Sequence, residues 1–412
     1  MQNADRHLSL DVLRGFAVMG ILLLNIIGFA MPGAAYINPS AWGGTDPANI
    51  AVWAINFVVF DGKMRGLFSV LFGASMLLII QRAQTAGQNP RSIHLNRMGW
   101  LFVIGSAHYL FLWWGDILVP YAICGTLALV FVQKDVRQLI RWAVILFLLY
   151  FMLCCAIVGG SWWQLIRSAA PGAETDLIEA TQLMLAGLGK PGTEGIATEL
   201  ALYQGGWPAI FRDNLSTYPD SLLNTLILFT LDTLGMMLLG MAMLKSGFIL
   251  ALWTPERYAH IAWRAFVIGA IPMIALAIWV VASGFDTIIT FAAFFAFSFP
   301  SRIVLTVGWA AALLAVVIRY QRSGLIGRVA AAGRAAFSNY LITSLVMTFI
   351  FYGWGLGLFG AIDRVTAMLF VFATWGLILL WSKPWLERFR FGPMEWLWRS
   401  LARRKLQPMR LR

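Results

Sequence analysis

The residues that could do chemistry in this sequence are polar side chains placed inside long apolar stretches. Arg14 heads an apolar stretch that continues to Ala30. A guanidinium at membrane depth costs from a few to more than about ten kcal/mol, so intramembrane charges are rare and are functional candidates. The other polar residues of this kind are Asn25, Asp61, Lys63, Arg65, His108, Asp116, Asp232, Arg302 and Asn339. Together they predict a buried polar site, and we expect Arg14 to be compensated by a polar or acidic group from another helix.

His108 is the candidate for a general base, because it is the one histidine of four that falls inside an apolar stretch. Positions along the predicted spans place Asn25, Asp61 and Asp116 at nearly the same depth as His108, close to the outer surface. A pair of His108 with Asp61 or Asp116 would fix the imidazole tautomer and raise its basicity. We therefore predict His108, Asp116 and Asp61 as catalytic residues. The alternative, a histidine that only packs against its neighbours, stays open.

Two other charged features admit both a structural and a functional interpretation. The charged cluster at 61–65 either pairs internally at a helix end or faces a substrate. Asp232 lies in the middle of a predicted span, where a carboxylate needs a cation or a proton. Arg302 or Arg14 could supply the cation, and the proton relay of a transporter would also use such a residue.

The composition identifies the class of protein. Of the 412 residues, 60% are hydrophobic and 12% are charged, whereas about a quarter of the residues of a soluble protein are charged. The chain is therefore predicted to be an all-α, polytopic membrane protein. The formal charge of +12 does not indicate nucleic-acid binding, because Lys and Arg lie between the apolar stretches and in the tail. The three cysteines lie in apolar stretches, so we expect neither a disulfide framework nor a metal site.

Apolar stretches of about the twenty residues that cross a bilayer predict ten spans. They lie near 11–30, 62–82, 98–114, 116–132, 142–160, 222–244, 262–282, 302–319, 335–353 and 365–382. Two further apolar stretches, 49–60 and 286–299, precede charged residues and are predicted to form interfacial or re-entrant half-helices. Such broken elements are tolerated at membrane depth only where they are packed in protein or line a wet cavity.

The distribution of basic residues orients the spans. The connections 82–97 and 319–334 contain Arg and no acidic residue, which places them in the cytoplasm by the positive-inside rule. The tail from residue 383 has nine basic and two acidic residues, whereas 161–221 has three basic and seven acidic ones. Ten spans with both termini in the cytoplasm satisfy all four segments. The expected regions are an N-terminal bundle of five spans (1–160), an external insertion (161–221), a C-terminal bundle of five spans (222–382) and a basic cytoplasmic tail (383–412).

Short motifs along nearly the whole chain resemble the YeiB family of bacterial inner-membrane proteins. They are LDVLRGFA (10–17), LLLNI (22–26), LFGA (71–74), His108 with WGDIL (114–118), Gly333-Arg334 with SNYL (338–341), and GPMEWLWR (392–399). The resemblance implies a multi-pass protein of the bacterial inner membrane. It brings little biochemistry, because the C-terminal half of that family is known as a domain of unknown function.

The first span is also similar, more distantly, to the transmembrane acyltransferase superfamily. The shared element is a Leu-Asp-x-x-Arg-Gly head, here Leu10 to Gly15. The similarity implies transfer of an acyl group from a cytoplasmic coenzyme A thioester to a sugar on the far side of the membrane. In acyltransferase-3 proteins a catalytic His follows the Arg by eleven residues, and that position here is Asn25. The lysosomal members place their active His in the next outer loop, which contains none in this chain, so His108 would have to replace it.

Three functional hypotheses follow. In the first, the protein is a membrane acyltransferase-like enzyme that takes an acyl-CoA from the basic inner face and acylates a lipid or glycan at the outer leaflet or in the periplasm. Its substrate-binding residues would be Arg14, Asn25, Lys63, Arg65, Asp232, Arg302, Arg334 and Asn339. In the second, a transporter or lipid-handling protein uses the same buried residues. In the third, a receptor or scaffold presents 161–221 to a partner. Donor, acceptor and oligomeric state, a homodimer included, are left open by the sequence.

Overall fold

The protein is built from helices, as its composition predicts. The computed structural model describes residues 8–411; Arg6 and His7, at the basic start of the expected first bundle, and Arg412 lie outside the described residues. The helices are, in chain order, α1 (Leu8–Ala30), α2 (Ala34–Ile37), α3 (Pro47–Ile55), α4 (Lys63–Thr85), α5 (Pro90–Phe111), α6 (Leu118–Ala128), α7 (Val136–Ser168), α8 (Thr175–Gly187), α9 (Glu194–Tyr203), α10 (Trp207–Lys245), α11 (Pro255–Ala282), α12 (Thr287–Ala292), α13 (Phe299–Tyr320), α14 (Gly324–Arg334), α15 (Ala336–Phe351), α16 (Arg364–Arg388) and α17 (Pro393–Ala402). The predicted all-α, polytopic membrane class is confirmed.

The described chain has seven helical segments that are long and apolar enough to cross a membrane, or eight when α14 and α15 count as one span bent by 78°. The ten predicted spans also included 98–114 and 116–132, which correspond to α5 and α6. With 11 residues, α6 is shorter than a crossing needs, and α5 begins with the polar residues Arg91, His94 and Arg97. Because α5 and α6 form a hairpin, they add either two membrane crossings or none. In both cases every other connection stays on its expected side of the membrane.

Two helix breaks occur where half-helices were predicted. The helix α3 continues into a π-helical segment, Asn56–Phe60, and α12 continues into a second one, Ala293–Phe297. Each π-helical segment is followed within two residues by the next long helix, α4 or α13. Such segments displace backbone carbonyls from the regular α-helical hydrogen-bond pattern and are frequent at functional sites. Residues Pro47–Thr85 form one helical segment of 39 residues, so the first predicted half-helix is the start of a long helix, whereas Thr287–Phe297 is a separate short apolar helix. Their interfacial or re-entrant placement stays a prediction.

The first helix, α1, lies at the centre of the bundle and contacts α4, α13, α14, α15 and α16. Glycines let α1 and α14 cross in backbone contact. A Cβ added to Gly15 would lie 2.1 Å from the carbonyl oxygen of Val329, and one added to Gly333 would lie 1.8 Å from that of Asp11. No larger residue fits at either position without moving a helix. The crossing brings Arg14, which precedes Gly15, and Arg334, which follows Gly333, to the same end of the bundle. We call this the inner end, because it is the end predicted to face the cytoplasm.

The predicted external insertion, 161–221, is helical and covers the outer end of the bundle. The helices α7 and α10 both extend beyond their predicted spans, and α8 and α9 connect them. Glu199 accepts a hydrogen bond from the backbone N–H of Gly33, just after α1, at 2.9 Å. The indole N–H of Trp207 donates to the carbonyl oxygen of Phe111, at the end of α5, at 3.0 Å. The insertion therefore closes the outer ends of α1 and of the α5–α6 hairpin.

Contacts between distant segments join parts of the chain that the basic residues assign to the same side. The indole N–H of Trp398 in the tail donates to the carbonyl oxygen of Arg97 at 2.9 Å. Lys245, at the end of α10, donates to the carbonyl oxygens of Val132 and Lys134 at 2.9 and 2.6 Å. All of these segments were assigned to the cytoplasm. The assignment of sides is thus self-consistent and stays a prediction, which single cysteines can test.

In a chain whose three native cysteines are replaced, we expect Gln88→Cys and Gln321→Cys to react with a membrane-impermeant maleimide only after cells are permeabilised. Glu194→Cys in the outer insertion should react in intact cells. All three positions are exposed, so the membrane alone decides which ones the reagent reaches. Labelling of Gln321→Cys in intact cells would contradict the assigned orientation.

Candidate active site

His108 and Asp116 form a buried pair at the turn between α5 and α6. His108 Nδ1 lies 2.9 Å from Asp116 Oδ1, and the exposed fractions of the two side chains are 1% and 2%. The other carboxylate oxygen of Asp116 accepts a hydrogen bond from the backbone N–H of Val119 at 2.9 Å. Because an ionised carboxylate only accepts, Nδ1 holds the shared proton and the lone pair of the neutral ring lies on Nε2. Of the two carboxylates predicted as partners of His108, the structure selects Asp116.

The Nε2 atom of His108 is buried and has no hydrogen-bond partner among residues 8–411. Two aromatic rings contact the imidazole, Tyr340 with a centroid separation of 5.2 Å and Trp113 with 6.5 Å. A buried polar atom left without a partner costs about 1–3 kcal/mol. A His–Asp pair whose Nε2 is unoccupied is the arrangement in which imidazole takes a proton from a nucleophile.

The turn between α5 and α6 holds this pair in place. Two backbone N–H groups of the turn, one of them that of Trp113, donate to the carbonyl oxygen of His108 at 3.0 Å. The ring of Trp113 stacks on Phe29 of α1 with a centroid separation of 4.0 Å, and its N–H donates to the carbonyl oxygen of Gly28 at 3.3 Å. The turn is thereby fixed to the outer end of α1, and Asp116 follows it at the start of α6.

A cavity of about 180 Å³ lies between the inner end of the bundle and the neighbours of the His108 pair; neither His108 nor Asp116 lines it. Its inner end is lined by four arginines from four helices, Arg14, Arg97, Arg334 and Arg399. Its walls are mostly apolar and include Phe68, Leu71, Phe72, Met76, Met98, Leu101 and Leu118. Tyr340 and Ile117, the neighbours of the pair, line its other end. The cavity therefore joins a strongly basic end to Tyr340 and Ile117, the neighbours of the candidate general base, through an apolar passage.

Arg14 has partners on two helices. Its Nη2 donates to Ser75 Oγ of α4 at 2.6 Å, and its Nη1 lies 3.4 Å from Asp11 Oδ1 of its own helix. The polar partner from another helix that the sequence led us to expect is present. Since Arg14 also lines the cavity, the partners orient it toward the basic end.

The basic end of the cavity is a region of positive potential. The guanidinium of Arg97 is repelled by those of Arg399, Arg403 and Arg14, and it lies 4.0 Å from the ring of Trp398. Guanidinium groups bind phosphate oxygens through paired, charge-assisted hydrogen bonds. Like charges held this close favour a multiply charged anion between them, and a polyphosphate has the required charge.

Glu395 of the tail fixes the start of α15 at the edge of the same cavity. Its carboxylate accepts hydrogen bonds from the backbone N–H groups of Phe337 and Ser338, at 2.7 and 3.1 Å, and from Ser338 Oγ at 2.5 Å. Burial raises the pKa of Glu395, and these hydrogen bonds oppose the rise. The tail, predicted only as a basic cytoplasmic extension, is therefore a wall of the site and positions Tyr340 one turn into α15.

Asp61 belongs to a different cluster, at the two helix breaks. Arg302 Nη2 donates to Asp61 Oδ2 at 2.9 Å and also to the carbonyl oxygen of Phe294 in the second π-helical segment. Lys63 is fully buried and donates to the carbonyl oxygen of Phe57 in the first segment at 2.6 Å. Carbonyl oxygens of the two π-helical segments are therefore bound by Lys63 and Arg302, which are side chains of the protein itself. Asp61 lines a separate cavity of about 30 Å³, so the structure does not bring it to the catalytic pair.

Asp232 pairs with Arg65 across the contact of α10 and α4. Arg65 Nη1 also donates to Thr233 Oγ1 at 3.2 Å. The sequence had suggested Arg302 or Arg14 as the cation for Asp232, and it had placed Arg65 in a cluster that either pairs internally or faces a substrate. The structure assigns Arg65 to Asp232 and Arg302 to Asp61, which are two separate ion pairs that neutralise buried carboxylates.

The predicted residues Asn25 and Asn339 both lie beside Tyr340. They line a small cavity of about 20 Å³ on the side of Tyr340 that faces α1. Asn339 Nδ2 donates to the carbonyl oxygen of Ala332 at 3.0 Å, and its Oδ1 accepts from the indole N–H of Trp381 at 3.0 Å. Asn339 thereby ties the bend between α14 and α15 to α16.

Sequence reasoning gave no role to several residues that complete the site. Tyr340 and Glu395 occur in motifs that resemble the family, and Arg97 was counted only as a loop charge. A usable signal was the spacing on α5, where His94, Arg97 and His108 recur at intervals of 3 and 11 residues and therefore share one helix face.

Comparisons with known proteins agree with the motifs. Residues 243–405 match a family model described as a protein of unknown function (DUF418). The uncharacterized protein YeiB of Escherichia coli (strain K12) is 31% identical over 98% of this chain and 98% of its own length. The uncharacterized protein YxaH of Bacillus subtilis (strain 168) is 30% identical over 97% of this chain and 95% of its own. No solved structure matches the chain.

The Asp61–Arg302 pair predicts a specific pattern of stability. Asp61→Asn should lower the free energy of unfolding by about 3–5 kcal/mol, because it leaves the buried guanidinium without its counter-charge. Adding Arg302→Met should recover part of this loss. Glu387→Gln, which breaks an exposed pair with Lys383, should have no measurable effect. Thermal unfolding in detergent measures all three, and an Asp61→Asn variant as stable as the Glu387→Gln control would contradict the assigned role of the pair.

Proposed function

This chain belongs to the YeiB family, and we propose that it is a membrane acyltransferase-like enzyme that moves an acyl group from a cytoplasmic acyl-CoA to a hydroxyl acceptor, a lipid or glycan at the outer leaflet or in the periplasm. The observation behind this proposal is the position of the His108–Asp116 pair. Tyr340 and Ile117, which adjoin the pair, line one end of a mostly apolar cavity, and four arginines line the other end. We place the protein in the inner membrane of a bacterium, since its relatives are bacterial.

The arginines are suited to the phosphates of the donor. Coenzyme A has a diphosphate and a 3′-phosphate, and Arg14, Arg97 and Arg399 approach from three different helices. The charge that repels Arg97 from its neighbours becomes favourable once phosphate lies between them. The basic end faces the cytoplasm in the predicted orientation, which is where acyl-CoA is made available.

The distance along α5 matches the pantetheine arm of coenzyme A. Arg97 and His108 are 11 residues apart, which is about 16 Å at 1.5 Å per residue. The arm has about thirteen bonds between the diphosphate and the sulfur, and at about 3.5 Å for every three bonds of an extended chain it spans about 15 Å. A donor whose phosphates bind at Arg97 therefore presents its thioester near His108. The apolar walls between the two ends suit an arm without charge.

The chemistry assigned to the pair is direct acyl transfer. His108 Nε2 takes the proton of the acceptor hydroxyl while the hydroxyl oxygen attacks the thioester carbonyl carbon. The new C–O bond forms, the C–S bond breaks, and the leaving thiolate takes the proton from the imidazolium. Asp116 keeps the ring in the required tautomer and stabilises its charge. The products are the acylated acceptor and free coenzyme A, and no other reactant is needed.

We place the acceptor on the α1 side of Tyr340, in the small cavity lined by Asn25. The amide of Asn25 and the hydroxyl of Thr343 line this cavity among apolar side chains. Both groups can form hydrogen bonds with an alcohol, and neither adds a charge. Asn25 is the position at which related acyltransferases have a His, so a binding role here would replace the catalytic one.

Transport remains the second candidate, and the two helix breaks favour it. Discontinuous helices with released carbonyls often bind substrates and ions in transporters. Here the carbonyls of Phe57 and Phe294 already bind Lys63 and Arg302. A transported cation would have to displace a cation of the protein, which is why acyl transfer is the preferred function.

Purified protein given labelled acyl-CoA should release free coenzyme A in a reaction that depends on His108. His108→Gln should lower the rate by about a hundred- to ten-thousand-fold, the range for loss of a general base. His260→Gln, an exposed histidine of α11, is the matched control and should keep the parent rate. A folded protein that turns over no acyl-CoA, while reconstituted vesicles accumulate a substrate, would favour the transporter.

The arginine cluster predicts a separate effect on donor binding. Arg97→Gln and Arg399→Gln should each weaken the binding of coenzyme A about ten- to a hundredfold, since a hydrogen bond to a charged group contributes about 1.5–3 kcal/mol. Arg91→Gln, at an exposed position on the same helix as Arg97, should bind normally. Isothermal titration measures the three affinities. Equal affinities would remove the phosphate site from the proposal.

A further inference from the structure

Tyr340 contacts His108 and lines both cavities of the site, which His108 and Asp116 do not line. Its ring is 5.2 Å from that of His108, and the residue is 7% exposed. It lines the large cavity that leads from the arginines and the small cavity that contains Asn25. Tyr340 is therefore a shared wall of the two cavities beside His108.

The hydroxyl of Tyr340 has a proton to donate. It accepts a hydrogen bond from the backbone N–H of Ile117 at 3.4 Å, and none of the hydrogen bonds found in the described chain has this hydroxyl as the donor. The other aromatic side chain that contacts His108 is Trp113, and its N–H is engaged with the carbonyl oxygen of Gly28. Tyr340 is therefore the aromatic neighbour of His108 whose donor remains available.

Two contacts fix the backbone of α15 on either side of Tyr340. Glu395 holds the first turn of α15 through the backbone N–H groups of Phe337 and Ser338. The hydroxyl of Ser344 donates to the carbonyl oxygen of Tyr340 one turn later, at 3.2 Å. A donor that the fold already holds in position needs little reorganisation during the reaction. Such donors stabilise the charge that develops on a carbonyl oxygen.

We propose that Tyr340 is the oxyanion donor of this site: its phenol donates a hydrogen bond to the thioester carbonyl oxygen as the acceptor hydroxyl attacks. The inference rests on the proposed acyl transfer. When the C–O bond forms, the carbonyl π electrons move onto oxygen and the negative charge lies beside Tyr340. When the C–S bond breaks, the carbonyl returns, the thiolate takes the proton from His108, and Tyr340 keeps its own proton throughout.

An oxyanion donor and a residue that only packs against His108 predict different effects of removing the Tyr340 hydroxyl. Removing one oxyanion donor typically lowers kcat by about a hundred- to a thousandfold. Tyr340→Phe keeps the ring that packs against His108 and removes only the hydroxyl. We expect kcat to fall by that factor, with KM for acyl-CoA, coenzyme A affinity and melting temperature close to those of the parent.

Tyr109→Phe is the matched control. Tyr109 adjoins His108 in sequence, and its hydroxyl donates to Ser221 Oγ at 2.6 Å, away from the cavity. We expect this variant to keep kcat within about threefold, because no charge develops beside it. A Tyr340→Phe variant with the parent kcat would overturn the inference, as would one that loses coenzyme A affinity in proportion to rate.

The outcomes distinguish the inference from the function on which it rests. If His108→Gln abolishes release of coenzyme A and Tyr340→Phe does not lower kcat, acyl transfer stands and the role of Tyr340 fails. If the folded parent releases no coenzyme A from any acyl-CoA, the proposed function is wrong, and the inference that rests on it is wrong too.

Discussion

The constraint on which this structure depends is that a charge inside the bundle must be compensated where it lies. Burying an isolated ion costs several kcal/mol even after relaxation, so each intramembrane charge determines which helices meet. Arg65 joins α4 to α10 through Asp232, and Arg302 joins α13 to the first helix break through Asp61. Where no acid is available, backbone carbonyls released by the π-helical segments take its place, as for Lys63. The helix breaks are thus part of the compensation.

Two features of the proposed active site add to this pattern. Arg97, at the inner end of the large cavity, is repelled by the guanidinium groups of Arg399, Arg403 and Arg14, and the Nε2 atom of His108 has no hydrogen-bond partner in the described chain. The repulsion and the open lone pair are each unfavourable without a ligand. An acyl-CoA whose phosphates bind at one end and whose thioester reaches the other would satisfy both.

The long-range contacts that shape this cavity involve residues of small or polar character. Gly15 and Gly333 bring α1 and α14 into backbone contact, so that their arginines share one end of the bundle. Glu395 fixes α17 to the start of α15, which encloses the basic end and sets the position of Tyr340. The tail and the most central helix therefore depend on each other for the geometry of the site, although about 380 residues separate them.

The sequence by itself determined the class of the protein and most of the polar residues of the site, because hydropathy and the cost of buried charge act on each segment separately. It also indicated that His108 pairs with a carboxylate. Only the tertiary structure decided which carboxylate: Asp116 pairs with His108, while Asp61 pairs with Arg302. Depth along a span follows from residue number, but the direction in which a side chain faces depends on how helices rotate and cross. For the same reason, the sequence did not single out Arg97, Tyr340 or Glu395 as residues of the site.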